Sequence, residues 1–212
     1  MAVPSKIEKL SDVRIPTEQE GTAVVMVGSF APVHRGHFDA LHAAQTALTT
    51  RGLAVGSLVL TPNSPEYVER KLPDYHKTWH YERRIQKVLE CDPHPRVPTY
   101  VDDVSGRRAG LNEMNDYVVR TVQQHLGYAA TQMYLVVGSD QLLSMQSHLR
   151  SEANRAVCVL RPGNLDRIQE HLETPWVAEA VQAERFIITE REDMEHDISS
   201  TAARSADLAA TL

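Results

Sequence analysis

The chain has 212 residues, 42% hydrophobic and 24% charged, and its 22 basic against 28 acidic side chains give a formal net charge of −6. That length suits one substantial domain with a core of its own, and the acidic balance argues against a protein that coats nucleic acid, where affinity comes from many phosphate contacts. Two cysteines, Cys91 and Cys158, are too few for a disulfide framework, and no apolar run reaches the about 18 residues of a membrane span.

Residues 1–21 are polar, carry two prolines and show no period, so they read as a loosely held N-terminal arm. They also lack the apolar centre of a signal peptide, which makes the cytoplasm the expected location, with the nucleus left open. The β-branched run 22–28 (TAVVMVG) then ends on glycine, as a buried parallel strand does. Phe38, Leu41, Ala44 and Leu48 fall at helical spacing as far as Arg51-Gly52. A second strand is expected over 53–60, a helix over 79–91, a short strand over 97–101 and a helix over 111–126. The very apolar 133–138 (MYLVVG), 156–160 (AVCVL) and 185–189 (RFIIT) supply three more strands, with helices near 165–173 and 174–182. Strands alternating with helices from residue 22 onward predict a single α/β domain over 22–212: one doubly wound parallel sheet, Rossmann-like, with helices on both faces. Such sheets bind ligands at the carboxyl ends of their strands, where strand order reverses.

The loops at those ends therefore hold the chemistry. After the first strand comes Gly28-Ser29-Phe30-Ala31-Pro32-Val33-His34-Arg35-Gly36-His37, and then a helix. Glycines 28 and 36 let backbone approach a ligand, and the helix aims its first N–H groups at any anion there, beside two imidazoles. Neither the dinucleotide Gly-x-Gly-x-x-Gly nor a P-loop Gly-Lys-Ser/Thr is present. The plainer alternative is a glycine turn with two surface histidines. Near the other end stands Ile198-Ser199-Ser200-Thr201-Ala202-Ala203-Arg204, hydroxyls suited to a helix N-cap with an arginine one turn on. An N-cap with a solvated arginine is the competing reading. Gly138-Ser139-Asp140 follows an apolar strand, where an acid can accept from a ribose or simply cap a helix. Arg70 and Lys71, in the loop read over 61–76, are phosphate contacts or merely solvated. His76 and His80, four apart, lack a third ligand and favour surface histidines over zinc.

Together, His34-x-Gly36-His37 and Ile198-Ser-Ser-Thr-x-x-Arg204 resemble the nucleotidylyltransferase superfamily. Within it the chain is most similar to the nicotinamide/nicotinate mononucleotide adenylyltransferases, through Gly28-Ser29-Phe30-Ala31-Pro32, Lys71-Leu-Pro-Asp-Tyr-His76, Gly138-Ser139-Asp140 and the 157–163 segment VCVLRPG. The resemblance implies transfer of AMP from ATP, brought in with Mg²⁺, to the 5′-phosphate of the mononucleotide, with release of pyrophosphate. It implies that His34 and His37 contact the ATP phosphates, with His37 stabilising charge at the α-phosphorus, and that Gly36 leaves room for adenosine. It places Ser199, Thr201 and Arg204 at the β- and γ-phosphates, counts Ser200 among the ATP-binding residues, and puts Gly138 and Asp140 at the adenylate ribose. It assigns Gly28, Ser29, Phe30 and Lys71 to the mononucleotide side, and no metal ligands to the protein. Relatives with this fold often assemble into homo-oligomers. Tyr100 and Trp176 are the aromatic candidates for stacking on a pyridine ring, and core packing explains either equally well. Two other functions stay open: adenylyl or cytidylyl transfer to another phosphate acceptor, and a nucleotide-binding regulator or weak ATP hydrolase on the same fold.

Overall fold

The computed structural model describes residues 6–15, 18–92, 96–109, 114–161 and 165–191, apart from the side chains at 143, 144, 165 and 167. In chain order the elements are β1 (Glu8–Lys9), β2 (Thr22–Gly28), α1 (Arg35–Thr50), β3 (Val55–Pro62), α2 (Pro65–Lys71), α3 (Tyr81–Leu89), β4 (Thr99–Val101), α4 (Ser105–Arg108), α5 (Met114–Leu126), β5 (Met133–Gly138), α6 (Gln146–Leu149), β6 (Arg155–Leu160), α7 (Leu165–Leu172), α8 (Pro175–Gln182) and β7 (Phe186–Glu190). Short 3-10 turns lie at Leu10–Asp12, Ala130–Gln132 and Ser139–Met145.

All seven strands are parallel, in the order β1-β4-β3-β2-β5-β6-β7. The side chains of β2 alternate between two cores: Val24 and Met26 pack with Leu41, Leu48, Ile85 and Val88 from α1 and α3, while Ala23 and Val25 face the core of Val118, Val122 and Leu126 from α5 and of Val177 and Ala180 from α8. Period-two alternation in a strand buried on both sides divides the helices into two layers. The result is a single-domain α/β fold of the Rossmann-like, doubly wound kind. Among the described residues no helix is long and apolar enough to cross a membrane.

Beside the short helices α4 and α6, which the sequence reading did not expect, two departures bear on the site and its anchoring. The loop read over 61–76 contains α2, whose start was written in Ser64-Pro65: the Ser64 hydroxyl accepts from the Tyr67 N–H at 3.3 Å, and proline occupies the first turn. The segment read as a loose arm is anchored where it is described. Glu8 and Lys9 pair with Tyr100 and Val101, Ile7 and Leu10 are buried, and the Ser11 N–H and hydroxyl donate to Asp103 at 3.0 and 2.8 Å. Polar residues masked this anchoring, because a two-residue edge strand needs only Ile7 and Leu10 as apolar contacts.

Leu10 is 0% exposed inside the α5-side core. Leu10→Ala is expected to lower unfolding free energy by about 2–5 kcal/mol, the usual cost of a large-to-small change in a core, as measured by urea denaturation. A loose arm would show no change.

Candidate active site

The crevice follows from where pairing stops. β2 and β5 pair from Ala23↔Met133 to Met26↔Val136, two residues short of Gly28 and Gly138. On their outer sides the same strands stay paired to their ends, Gly28↔Pro62 with β3 and Gly138↔Val159 with β6. The sheet therefore opens between β2 and β5, at the point where strand order reverses. A cleft of ≈ 350 Å³ lies over this gap.

One lip is the N-terminus of α1. The helix begins at Arg35, earlier than the apolar spacing predicts, so Gly36 and His37 sit in its first turn with His34 as N-cap. His37 takes the part that glutamate plays in a capping box: its Nδ1 accepts the His34 backbone N–H at 3.1 Å. That bond requires Nδ1 to be bare, so the neutral ring carries its proton on Nε2. The two imidazoles stack with centroids 3.9 Å apart, and the Phe30 ring meets His37 edge-on at 4.9 Å. Burial, and the proximity of His34, lower the His37 pKa to about 3. Gly36 suits this arrangement, since a Cβ there would lie 3.2 Å from the His34 ring and 3.3 Å from Arg191 Nη1, close enough to press on both.

The opposite lip is Gly138-Ser139-Asp140, all three of which line the cleft. The Asp140 carboxylate folds back on Gly138, where a Cβ would come within 2.8 Å of Oδ1. Lys71, at the end of α2, reaches the cleft from the β3 side, and Arg161 and Arg191 reach it from the ends of β6 and β7. The described lining thus holds three cations against one carboxylate, Asp140, in a chain whose net charge is negative. Ser29 also lines it, and its hydroxyl oxygen is buried with no hydrogen-bond partner among the described residues. Such an atom is suited to a ligand's polar group.

The structure therefore brings together Gly28, Ser29, His34, Gly36, His37, Lys71, Gly138 and Asp140 around one cleft. Phe30 is placed differently: its ring is buried beneath Gly28 and His37 and supports the wall, with its backbone in the left-handed region at φ 45°. Ser199, Ser200, Thr201 and Arg204 lie outside the described residues. Tyr100 and Trp176 pack in and against the core instead of lining the cleft. His80 caps α3, accepting from the Arg83 N–H at 3.3 Å, and His76 Nδ1 lies 2.6 Å from the Pro73 carbonyl oxygen. Among the described residues no group of three or more His, Cys, Asp or Glu could hold a metal ion.

Three residues escaped the sequence reading as site residues, Arg161, Arg191 and Arg84; Arg161 stood only inside the 157–163 segment and had no role assigned to it. Arg191 follows β7 directly and is 8% exposed; its signal was an arginine just past the carboxyl end of a predicted parallel strand. Arg84 sits inside α3, 0% exposed, behind the loops after β2 and β3. Helical periodicity gave no sign of it, because a buried arginine looks like a solvated one in a sequence.

Comparison with known protein families gives the class. The cytidylyltransferase-like family matches residues 25–206, and the chain belongs to that family. Membership supports a nucleotidyltransferase activity in general. No curated protein matches the chain.

A neutral His37 has a consequence for acid stability. Its folded pKa of about 3 lies below the ordinary 6.5, so beneath pH 6.5 the unfolded chain takes up a proton that the folded one refuses. Stability is complete above 6.5 and drains away as pH falls toward 3. The wild-type Tm is expected to fall more steeply between pH 7 and 4 than that of His37→Asn; parallel curves would mean that the imidazole is not held neutral.

Proposed function

We propose that the protein transfers the AMP moiety of ATP to the 5′-phosphate of nicotinamide or nicotinate mononucleotide, forming a dinucleotide and pyrophosphate. The observation that carries this reading is the cleft between β2 and β5. Two histidines at a helix N-terminus form one lip, a glycine-aspartate strand end forms the other, and cations line it. A helix N-terminus with backbone N–H groups and nearby cations favours phosphate oxygens. Asp140 at a strand end matches a ribose hydroxyl. Family membership, His34-x-Gly36-His37 and the Ile198–Arg204 motif agree with the same chemistry.

In this reading a 5′-phosphate oxygen of the mononucleotide attacks the ATP α-phosphorus. The bond from that phosphorus to the oxygen bridging to the β-phosphorus breaks, and pyrophosphate leaves with the electron pair. No enzyme nucleophile is required, so the chain's task is to align the two anions and offset charge. His37, neutral with Nε2–H free to donate, contacts a non-bridging α-phosphate oxygen, and a close phosphate raises its proton affinity as negative charge builds. His34, Arg191 and the N–H groups of α1 hold the triphosphate. Ser199, Thr201 and Arg204 add contacts to the β- and γ-phosphates. Lys71 and Ser29 hold the mononucleotide phosphate on the β3 side. Mg²⁺ enters as part of the ATP substrate and keeps most of its waters.

Pyrophosphate release with ATP and Mg²⁺, measured with each mononucleotide in turn, tests the proposal. Release is expected to depend on one or both acceptors, and their rate ratio gives the preference. ATP consumption indifferent to either acceptor would favour the hydrolase or regulator reading. No consumption would favour another nucleotide or acceptor. His37→Ala should lower kcat by about 10²–10³-fold, the scale of one lost oxyanion donor, with the fold intact by circular dichroism. Unchanged turnover would move the chemistry away from this loop.

A further inference from the structure

Arg84 is the largest fully buried side chain of the described protein. Its guanidinium donates from Nε to the Trp79 carbonyl at 3.1 Å, from Nη1 to the Ser29 carbonyl at 2.9 Å and from Nη2 to the Asn63 carbonyl at 2.9 Å. The Tyr81 ring lies with its centroid 5.2 Å from the guanidinium carbon. No carboxylate among the described residues comes within ion-pair distance of it. Burial lowers its pKa to about 10, which still leaves it charged at neutral pH.

A buried, unneutralised arginine is costly to keep. A core side chain of this volume would be better supplied by leucine or methionine, so packing alone does not account for it. Its three acceptors show what it does. Ser29 belongs to the loop after β2 and lines the cleft, and Asn63 opens the loop after β3 that leads into α2 and Lys71. The Asn63 N–H in turn donates to the Gly28 carbonyl at 2.8 Å. Beyond the last β2–β3 pair, then, a backbone bond and a planar fork tie the two loops together. Only an arginine presents two donors at the fixed spacing that this requires.

We infer that Arg84 is a positioning residue for the acceptor side of the cleft: it fixes Ser29 against the loop after β3 and places a permanent positive charge behind the mononucleotide phosphate. The inference rests on the proposed reaction. The donor side, Gly138 at the end of β5 and Asp140 in the 3-10 turn that follows it, lies across β2, and among the described residues no hydrogen bond or ion pair joins it to Arg84. Losing the fork should therefore loosen the acceptor and leave ATP binding as it was.

The test compares Arg84→Lys, which keeps a charge but cannot span both carbonyls, with Arg84→Met, which keeps the length and the apolar stem. Each is assayed as purified full-length protein for KM of the mononucleotide, KM of ATP, kcat and Tm. Both variants should show a mononucleotide KM raised by about tenfold or more, as expected for a lost charge-assisted hydrogen bond, with the ATP KM within about twofold. Arg84→Lys should recover Tm without recovering the acceptor KM. Equal rises in both KM values, an unchanged acceptor KM, or failure of both variants to fold would each overturn the inference, marking Arg84 as a residue of the core alone. A wild-type protein that binds ATP but turns over neither mononucleotide would instead sink the proposed reaction.

Discussion

β2 lies between β3 and β5, and its hydrogen bonds to β5 end at Met26↔Val136 while those to β3 continue to Gly28↔Pro62. Crossovers leave this point toward opposite faces, so among the described residues no helix roofs the gap. The site follows from that reversal: backbone polar groups are exposed where two parallel strands part, and glycines at both strand ends let a ligand approach them. The rest of the sheet is sealed by two apolar layers.

Around the gap the chain arranges charge with few residues. The capping bond from the His34 N–H to His37 Nδ1 ends the loop, starts α1 and fixes the tautomer in one step. Depression of the His37 pKa follows from burial beside Phe30 and His34. A donor that stays neutral before the ligand arrives needs no proton release when a phosphate docks. Positive charge comes from separate elements, Lys71 on α2 and the arginines after β6 and β7. The cleft can thus attract an anion although the whole chain is acidic.

Much of this was legible in the sequence because the signals are local. Runs such as 133–138 are apolar on both faces, and glycine marks where each strand stops. The His34-x-Gly36-His37 spacing fits the first turn of a helix, which is why both rings meet. What was not legible depends on tertiary contacts. Arg84 reads as one of several cations on a helix until two carbonyls from distant segments, those of Ser29 and Asn63, join the nearby Trp79 carbonyl around it. The anchoring of Glu8–Lys9 needs the edge of β4, which lies more than 90 residues along the chain. The hydroxyl motif at 198–204 was the second pillar of the sequence reading, and it falls outside the described residues.

The central claim is that the gap between β2 and β5 is where a nucleoside triphosphate lies. A crystal structure of the protein with Mg²⁺ and a non-hydrolysable ATP analogue tests it most directly. The account predicts the ribose at Gly138-Ser139-Asp140 and the phosphates beside His34, Gly36 and His37, within reach of Arg191. A nucleotide bound instead in the ≈ 520 Å³ cleft between α2 and α3, against Trp79, His80 and Arg107, would contradict it, as would an empty β2–β5 gap at saturating analogue.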